Sequence, residues 1–274
     1  MSIDAPAAPA VRNDGAADGR RRGLLRRARP YLLGSASVVI LLALWQLAVA
    51  YELVKTAFLP APVDVAKTLA TLFTGGAIWS NLAISGQEFF VGMVISVAAG
   101  AVLGILTGWY KPVDEFLKPI VIAVNGVPHV ALVPILILVY GIGVTSKVVV
   151  VILSCVTVVL MNTATGVANV EEHLNRMSKS FCATDLQTIR TVVVPSIVPY
   201  FMSGLRISIG RAVVGVVVGE IFASRGGIGN MLIMASNSFN MPEMYATLLV
   251  LTAIGIVLTQ GAGWLERRLQ RWRG

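Results

Sequence analysis

The sequence predicts an all-α, polytopic membrane protein with six membrane-spanning helices. Three observations predict it. Of 274 residues, 56% are hydrophobic and 13% charged, where soluble chains carry roughly 25% charged residues, and the mean hydropathy is +0.78. The apolar residues gather in runs at 31–51, 84–108, 118–139, 146–166, 197–222 and 245–264, close to the ~20 residues that cross a bilayer core as a helix. Lys and Arg fall mostly in alternate connecting segments, the bias that sets orientation by retaining positive loops in the cytoplasm.

Residues 1–30 are rich in Ala, Pro, Asp and Gly and close on the basic "GRRRGLLRRARP". They are too polar to bury surface and are expected to be a disordered cytoplasmic N-terminus. The membrane domain is expected over 31–266 and a cytoplasmic tail over 267–274. The first span ends in "LAVAYE", which resembles a small-residue cleavage site, but its run exceeds the 7–15 residues of a signal-peptide core; it is read as a retained span. With both termini inside, the inner segments hold Arg12, the arginines from Arg20 to Arg29, Lys111, Lys118, Arg176, Lys179, Arg190, Arg267, Arg268, Arg271 and Arg273. The outer ones hold Lys55, Lys67, Lys147 and Arg225. Basic loops beside anionic lipid account for the +8 net charge without nucleic acid.

The second span carries Gly100, Gly104 and Gly108, and the fifth Gly204, Ser208, Ala212, Gly215 and Gly219. Both are small-residue faces that let helix backbones approach closely, either within the chain, the reading favoured, or at a subunit interface. The third span contains "NGVPHVALVP", with Pro128 and Pro134 in an apolar run and Asn125 one helical turn from His129. Prolines tolerated there imply a broken helix of the kind that lines a translocation path.

Ionisable residues inside spans are costly and therefore functional candidates. Glu88 is expected to reach water near the outer end of its span, and Arg206 to snorkel to the inner face. Arg211 and Glu220 lie on opposite faces of the fifth span and cannot pair within it. Asn125, His129, Arg211 and Glu220 are the candidate pathway residues, with interhelical hydrogen bonding or pairing as the alternative for each.

Cys155 and Cys182 match neither a disulfide framework nor a metal-ligand spacing, and both are expected to be packing residues, with no metal site. "SRGGIGNMLIMASNSFN", from Ser224 to Asn240, is a glycine run followed by a short apolar helix. Such a run can cradle phosphate, but it lacks the Walker lysine and Ser/Thr and reads as a re-entrant turn. The chain has no Walker A motif, nucleophile elbow, HExxH or paired carboxylates at catalytic spacing, so neither an enzyme nor a cofactor site is expected. Between the fourth and fifth spans lies a polar, helix-capable insert, "RMSKSFCATDLQTIRTVVVP", from Arg176 to Pro195.

That insert resembles the cytoplasmic loop of bacterial binding-protein-dependent ABC importer permeases, whose pattern is EAA, three residues, Gly, nine residues, then I-x-L-P. Registered on Pro195, the pattern puts Val192 and Val194 on its aliphatic positions, Cys182 on its glycine and Arg176, Met177 and Ser178 on its triplet. "FLPAPVDVAKTL" resembles the LPSP-x-x-V segment of the nitrate/sulfonate/taurine branch. "LVPILILVYGIGVTSKVVVV" is similar to its P-L-x-I-x-W-F-G-x-G-x-x-S-K passage and "MNTATGVANVEEHL" to its approach to the loop. "GLRISIGRAVVGVVVGEIF" is similar to its G-L-R-x-x-x-G-R-A-W-x-x-V-V-x-A-E helix, and "GGIGNMLIMASNSFNMPEMYATLLVLTAIG" to the segment and helix that follow. The resemblance runs from about residue 38 to 266. At Glu88 the family usually has an arginine.

The resemblance implies the type I, MetI-like permease architecture in a bacterial inner (plasma) membrane, both termini cytoplasmic. It implies a transport subunit without ATPase activity or cofactor of its own: the half-channel of a homodimer, docked on cytoplasmic ABC ATPase subunits that bind the ATP and served by an extracytoplasmic solute-binding protein. The implied solute is a small organic or inorganic anion such as a sulfonate, taurine or nitrate, with a nucleobase-like or vitamin precursor as the alternative. An ATP-independent secondary transporter is the reading from another class; it commonly carries internal repeats, and none is evident. The coupling loop is expected over 167–195, with a short helix from about Met177 to Gln187. Its ATPase contact is assigned to Met177, Ser178, Lys179, Phe181, Cys182, Ala183, Thr184, Asp185, Leu186 and Pro195. The polar composition of that helix suits a protein groove better than an interfacial position in lipid.

Overall fold

The computed structural model describes residues 36–37, 39–55 and 57–269. The basic N-terminus expected over 1–30 and the end of the tail lie outside the described residues. The chain divides into two units, residues 1–62 and 63–274. In the first, α1 (Val39–Ala50) is an apolar helix whose Trp45 indole donates to the Pro60 carbonyl at 3.1 Å.

The second unit is helical, and four of its helices are long and apolar enough to cross a membrane. After α2 (Pro62–Thr74) come α3 (Ala77–Trp109), α4 (Lys111–Gly126), α5 (His129–Tyr140) and α6 (Val144–Ala168). Next are α7 (Glu172–Ser180), α8 (Asp185–Thr188), a π-helical turn over Ile189–Val193, α9 (Val194–Ala223), α10 (Ile228–Asn237) and α11 (Met241–Leu269). The four spans are α3, α6, α9 and α11, and no strand occurs among the described residues.

The small residues explain why α6 sits at the centre. A Cβ on Gly92, Gly100, Gly104 or Gly108 of α3 would lie within 2.5–2.8 Å of atoms of Val151, Val159, Thr163 or Val167 on α6. The four pairs share one sequence offset, so α3 and α6 run parallel, backbone against backbone. On its other side α6 meets the small-residue face of α9 in antiparallel order: Gly204 against Asn162, Gly215 against Val150, and Gly219 against Lys147. The Cys155 thiol donates to the Ser208 carbonyl at 3.3 Å. Both small-residue faces are thus used inside the chain, as close packing in lipid requires. Phe89, Met93, Val151, Cys155, Ile209, Ala212 and Val216 fill the seam between the three helices.

Because α3 and α6 run the same way, the residues between them return the chain across the bundle. They do so as a broken span, α4 and α5, bent by 97°. Val127, preceding Pro128, is extended (φ −84°, ψ 129°), as the proline ring demands of the residue before it. The span expected over 118–139 is therefore two helices, broken as its prolines imply. Pro119 and Pro134 sit inside α4 and α5 without breaking them.

Candidate functional site

The insert between the fourth and fifth spans folds as a helix, a turn and a second helix. α7 presents a Glu172–Arg176 pair at 2.7 Å, four residues apart. It ends at Phe181, and the chain reverses at Cys182, which has φ +55°. This is the left-handed conformation that glycine adopts freely and other L-residues adopt at a cost of about 1–2 kcal/mol. The turn is kept although the glycine of the family pattern is not. α8 then starts with a capping box: the Gln187 amide donates to Thr184 Oγ1 at 3.4 Å, and the Thr184 amide to Gln187 Oε1 at 2.8 Å. The Thr188 hydroxyl donates to Ser178 Oγ at 3.2 Å, tying the two helices together.

The continuous helix expected from Met177 to Gln187 is thus broken at 181–184. Met177, Ser178 and Lys179 end α7; Phe181, Cys182, Ala183 and Thr184 form the turn; Asp185 and Leu186 open α8. Phe181 is 81% exposed and Leu186 72%, which leaves two large apolar side chains projecting from the loop. Cys182 is exposed rather than packed. Pro195, in the first turn of α9, lacks the amide that would bond the Thr191 carbonyl, and its ring crowds that position. The preceding residues widen into the π-turn, a common response to such a conflict.

A second region forms around the break between α4 and α5. A cavity of about 550 Å³ is lined by the break itself, by Val150 and Ser154 of α6, and by Gly210, Arg211 and Val214 of α9. Asn125, His129 and Arg211, three of the four pathway candidates, all line it. Asn125 is held in place, its Oδ1 accepting from Thr157 at 3.1 Å and its amide meeting the Met161 sulfur at 2.9 Å. His129 Nε2 is buried and makes no hydrogen bond.

Glu220 does not reach that cavity. It is fully buried at the far end of α9, where its two oxygens accept from the Ser85 hydroxyl and the Gly229 amide, each at 2.6 Å. The Ile228 amide donates to Ser85 Oγ at 2.8 Å and the Gly227 amide to Asn81 Oδ1 at 2.7 Å. The amides of Gly227, Ile228 and Gly229, at the start of α10, are therefore met by side chains of α3 and α9. The glycine run before α10 cradles an anion after all, the chain's own carboxylate, at the positive end of a helix. Its glycines are needed there. Gly227 has φ +103°, and a Cβ on Gly229 would lie 2.6 Å from the Val217 carbonyl oxygen.

Beside this carboxylate Glu88 forms an ion pair with Lys147 of α6. Glu88 is 0% exposed and Lys147 3%, so the expectation that Glu88 reaches water is overturned. Its water has been replaced by an ammonium from another helix. Lys147 likewise is no outer-loop charge: its stem passes over Gly219, where a Cβ would lie 2.9 Å from Lys147 Cγ, and its ammonium also donates to Ser224 Oγ at 2.9 Å. Sequence reasoning missed this partner because Lys147 sits three residues into α6, at the edge of an apolar run. The usable signal was that two ionisable residues near one end of two apolar helices each needed a counter-charge. Arg206, expected to snorkel, is ion-paired with Glu266 of α11. The described residues hold no group of His, Cys, Asp and Glu able to bind a metal.

Comparisons with known proteins agree with this architecture. Residues 96–272 match the family described as the binding-protein-dependent transport system inner membrane component. The chain is 28% identical over 248 residues to a Bacillus subtilis protein named for aliphatic sulfonates transport, the permease SsuC, with 90% of each chain covered. It is 29% identical over 251 residues to the taurine transport system permease protein TauC of Escherichia coli, covering 90% of this chain and 91% of that one. It is 30% identical over 253 residues to the riboflavin transport system permease protein RibX of Chloroflexus aurantiacus, covering 92% and 94%. Among solved structures, the MetNI methionine ABC transporter in inward-facing conformations superposes with a TM-score of 0.58 at 18% identity, over 71% of this chain and 95% of that one; the fold is the MetI-like one. A bundle of apolar spans matching over that length places the chain in the family of binding-protein-dependent transport system inner membrane components, whose members are membrane transport subunits rather than enzymes.

Proposed function

We infer that this permease is one half of a homodimeric channel, driven by two ABC ATPase subunits at the α7–α8 loop and loaded by a solute-binding protein on the opposite face. The observation that carries the coupling role is the loop itself. It is a compact, capped helix–turn–helix whose Phe181 and Leu186 side chains are exposed, and it feeds through the π-turn directly into α9, the helix that bears Arg211. A push on the loop is therefore transmitted along a continuous helical rod to the wall of the cavity. The solute path runs through that cavity, past Asn125, His129 and Arg211, whereas Glu220 serves the α10 junction. Both chain termini are assigned to the cytoplasm, the side of the basic segments.

The relatives named for aliphatic sulfonates and taurine transport support a small sulfonate-type solute. The riboflavin transport relative, at 30% identity, supports the alternative of a vitamin or nucleobase-like precursor. The test is co-purification in mild detergent together with uptake after ATP depletion. Tagged protein is expected to retain an ATPase subunit, and uptake is expected to stop without ATP. Association is expected to be lost when Leu186 is changed to Glu while membrane insertion is kept. Uptake that survives ATP depletion, with no ATPase subunit retained, overturns the importer reading.

A further inference from the structure

Arg211 lies near the middle of an apolar span, where an arginine is expensive and pairs with a counter-charge or faces water. The other charged residues within α3, α6 and α9 have partners: Glu88 with Lys147, Glu220 with Ser85 and the α10 amides, Arg206 with Glu266. Arg211 has none. Among the described residues no carboxylate lies within ion-pair distance of it, and the cavity it lines contains no Asp or Glu.

Two further features face the same space. His129 lines the cavity together with Arg211, which puts an imidazole at the wall, its Nε2 buried without a hydrogen-bond partner. α5 begins at His129 with no side-chain cap, so the positive end of a twelve-residue helix opens at the break. The N-terminus of α10, by contrast, is already filled by Glu220. Asn125 is committed to Thr157 and Met161 and acts on this space by positioning the break.

We propose that Arg211 and His129 form a solute contact point within the permease itself, which takes the single anionic group of a small solute as it passes and so adds selectivity to that of the binding protein. This rests on the permease reading given above. A guanidinium offers two parallel N–H donors that match a sulfonate, carboxylate or phosphate edge. The imidazole accommodates a third oxygen or a neighbouring polar group. Five valines of the wall, Val127, Val130, Val150, Val214 and Val218, give it an apolar part that suits a short hydrocarbon portion.

The test is equilibrium binding of radiolabelled methanesulfonate, the smallest sulfonate, to the permease–ATPase complex without binding protein. Wild type is compared with Arg211→Gln, Arg211→Lys and His129→Gln. Loss of a charge-assisted pair predicts affinity weakened by about ten- to a hundred-fold in Arg211→Gln, an intermediate loss in Arg211→Lys, which keeps the charge and loses the fork, and a smaller loss in His129→Gln. Each variant is checked for monodispersity and for retention of the ATPase subunit. The proposal is overturned if wild type binds no methanesulfonate at tens of millimolar, or if a folded, ATPase-bound Arg211→Gln variant binds it as wild type does. A wild-type chain that retains no ATPase subunit instead sinks the importer reading, whatever the anion result.

Discussion

Lys147→Met breaks the ion pair with Glu88 and leaves a fully buried carboxylate without its counter-charge. Removing one member of a buried pair costs about 3–5 kcal/mol. The hydrogen bond from Lys147 to Ser224 at 2.9 Å is lost as well, at about 1 kcal/mol. The sum, about 4–6 kcal/mol, is a large part of the roughly 5–15 kcal/mol that holds a domain folded. At about 2–4 °C per kcal/mol for a chain of this size, Tm falls by roughly 10–20 °C.

Replacing both partners with apolar residues, Glu88→Leu with Lys147→Met, removes the desolvation cost along with the attraction, and such swaps are commonly neutral or stabilising. The double variant is expected to melt near or above wild type. Cys155 supplies the assay, since it is fully buried and Cys182 is exposed. In a Cys182→Ser background a thiol-reactive dye reports the opening of the α3–α6–α9 seam during heating in detergent. If Lys147→Met melts within 2 °C or so of wild type, or if the double variant melts as low as the single one, the pair does not hold these helices together as argued.

Gly104→Val is expected to destabilise by about 1–3 kcal/mol, because even a Cβ there would lie 2.6 Å from Thr163 Cβ and 2.7 Å from the Leu160 carbonyl oxygen. Gly86→Ala, on the same helix with nothing within 4 Å, is expected to be neutral or to stabilise by up to about 1 kcal/mol through helix propensity; Tm measured on both checks the contrast. Cys182→Gly is expected to relieve about 1–2 kcal/mol of left-handed strain, offset in part by the roughly 0.5–1 kcal/mol entropic cost of glycine, and to slow tryptic cleavage at Lys179 and Arg190. A membrane-impermeant maleimide is expected to label Cys182 only in inverted vesicles; labelling of right-side-out cells would reverse the assigned orientation.

The proline break is legible in the sequence because a proline acts on its immediate neighbours: Val127 is extended for the sake of Pro128, whatever else surrounds it. Hydropathy likewise marks α3, α6, α9 and α11, since burial in lipid is a property of one segment at a time. The split of the helix expected from Met177 to Gln187 is not legible there, because it depends on Cys182 accepting a positive φ that its side chain disfavours. Asn125, His129 and Arg211 stand out as polar residues in apolar runs, yet nothing local to any of them signals that they meet at one cavity.

The order of the spans, the glycine faces on α3 and α9, the polar loop and the excess of basic residues are thus properties of the sequence alone. Each follows from local composition or a short repeat. Only the tertiary structure decided that both glycine faces close on α6 and that Glu88 meets Lys147 rather than water. It alone placed Arg211 in a cavity with no carboxylate among its described lining residues and Glu220 on the Gly229 amide of α10. Those outcomes hang on side chains brought together from distant positions, Ser85 and Glu220 being 135 residues apart. In lipid an ionisable group takes whichever partner the packed backbones bring within reach, and that reach is set by the glycines that let the helices touch.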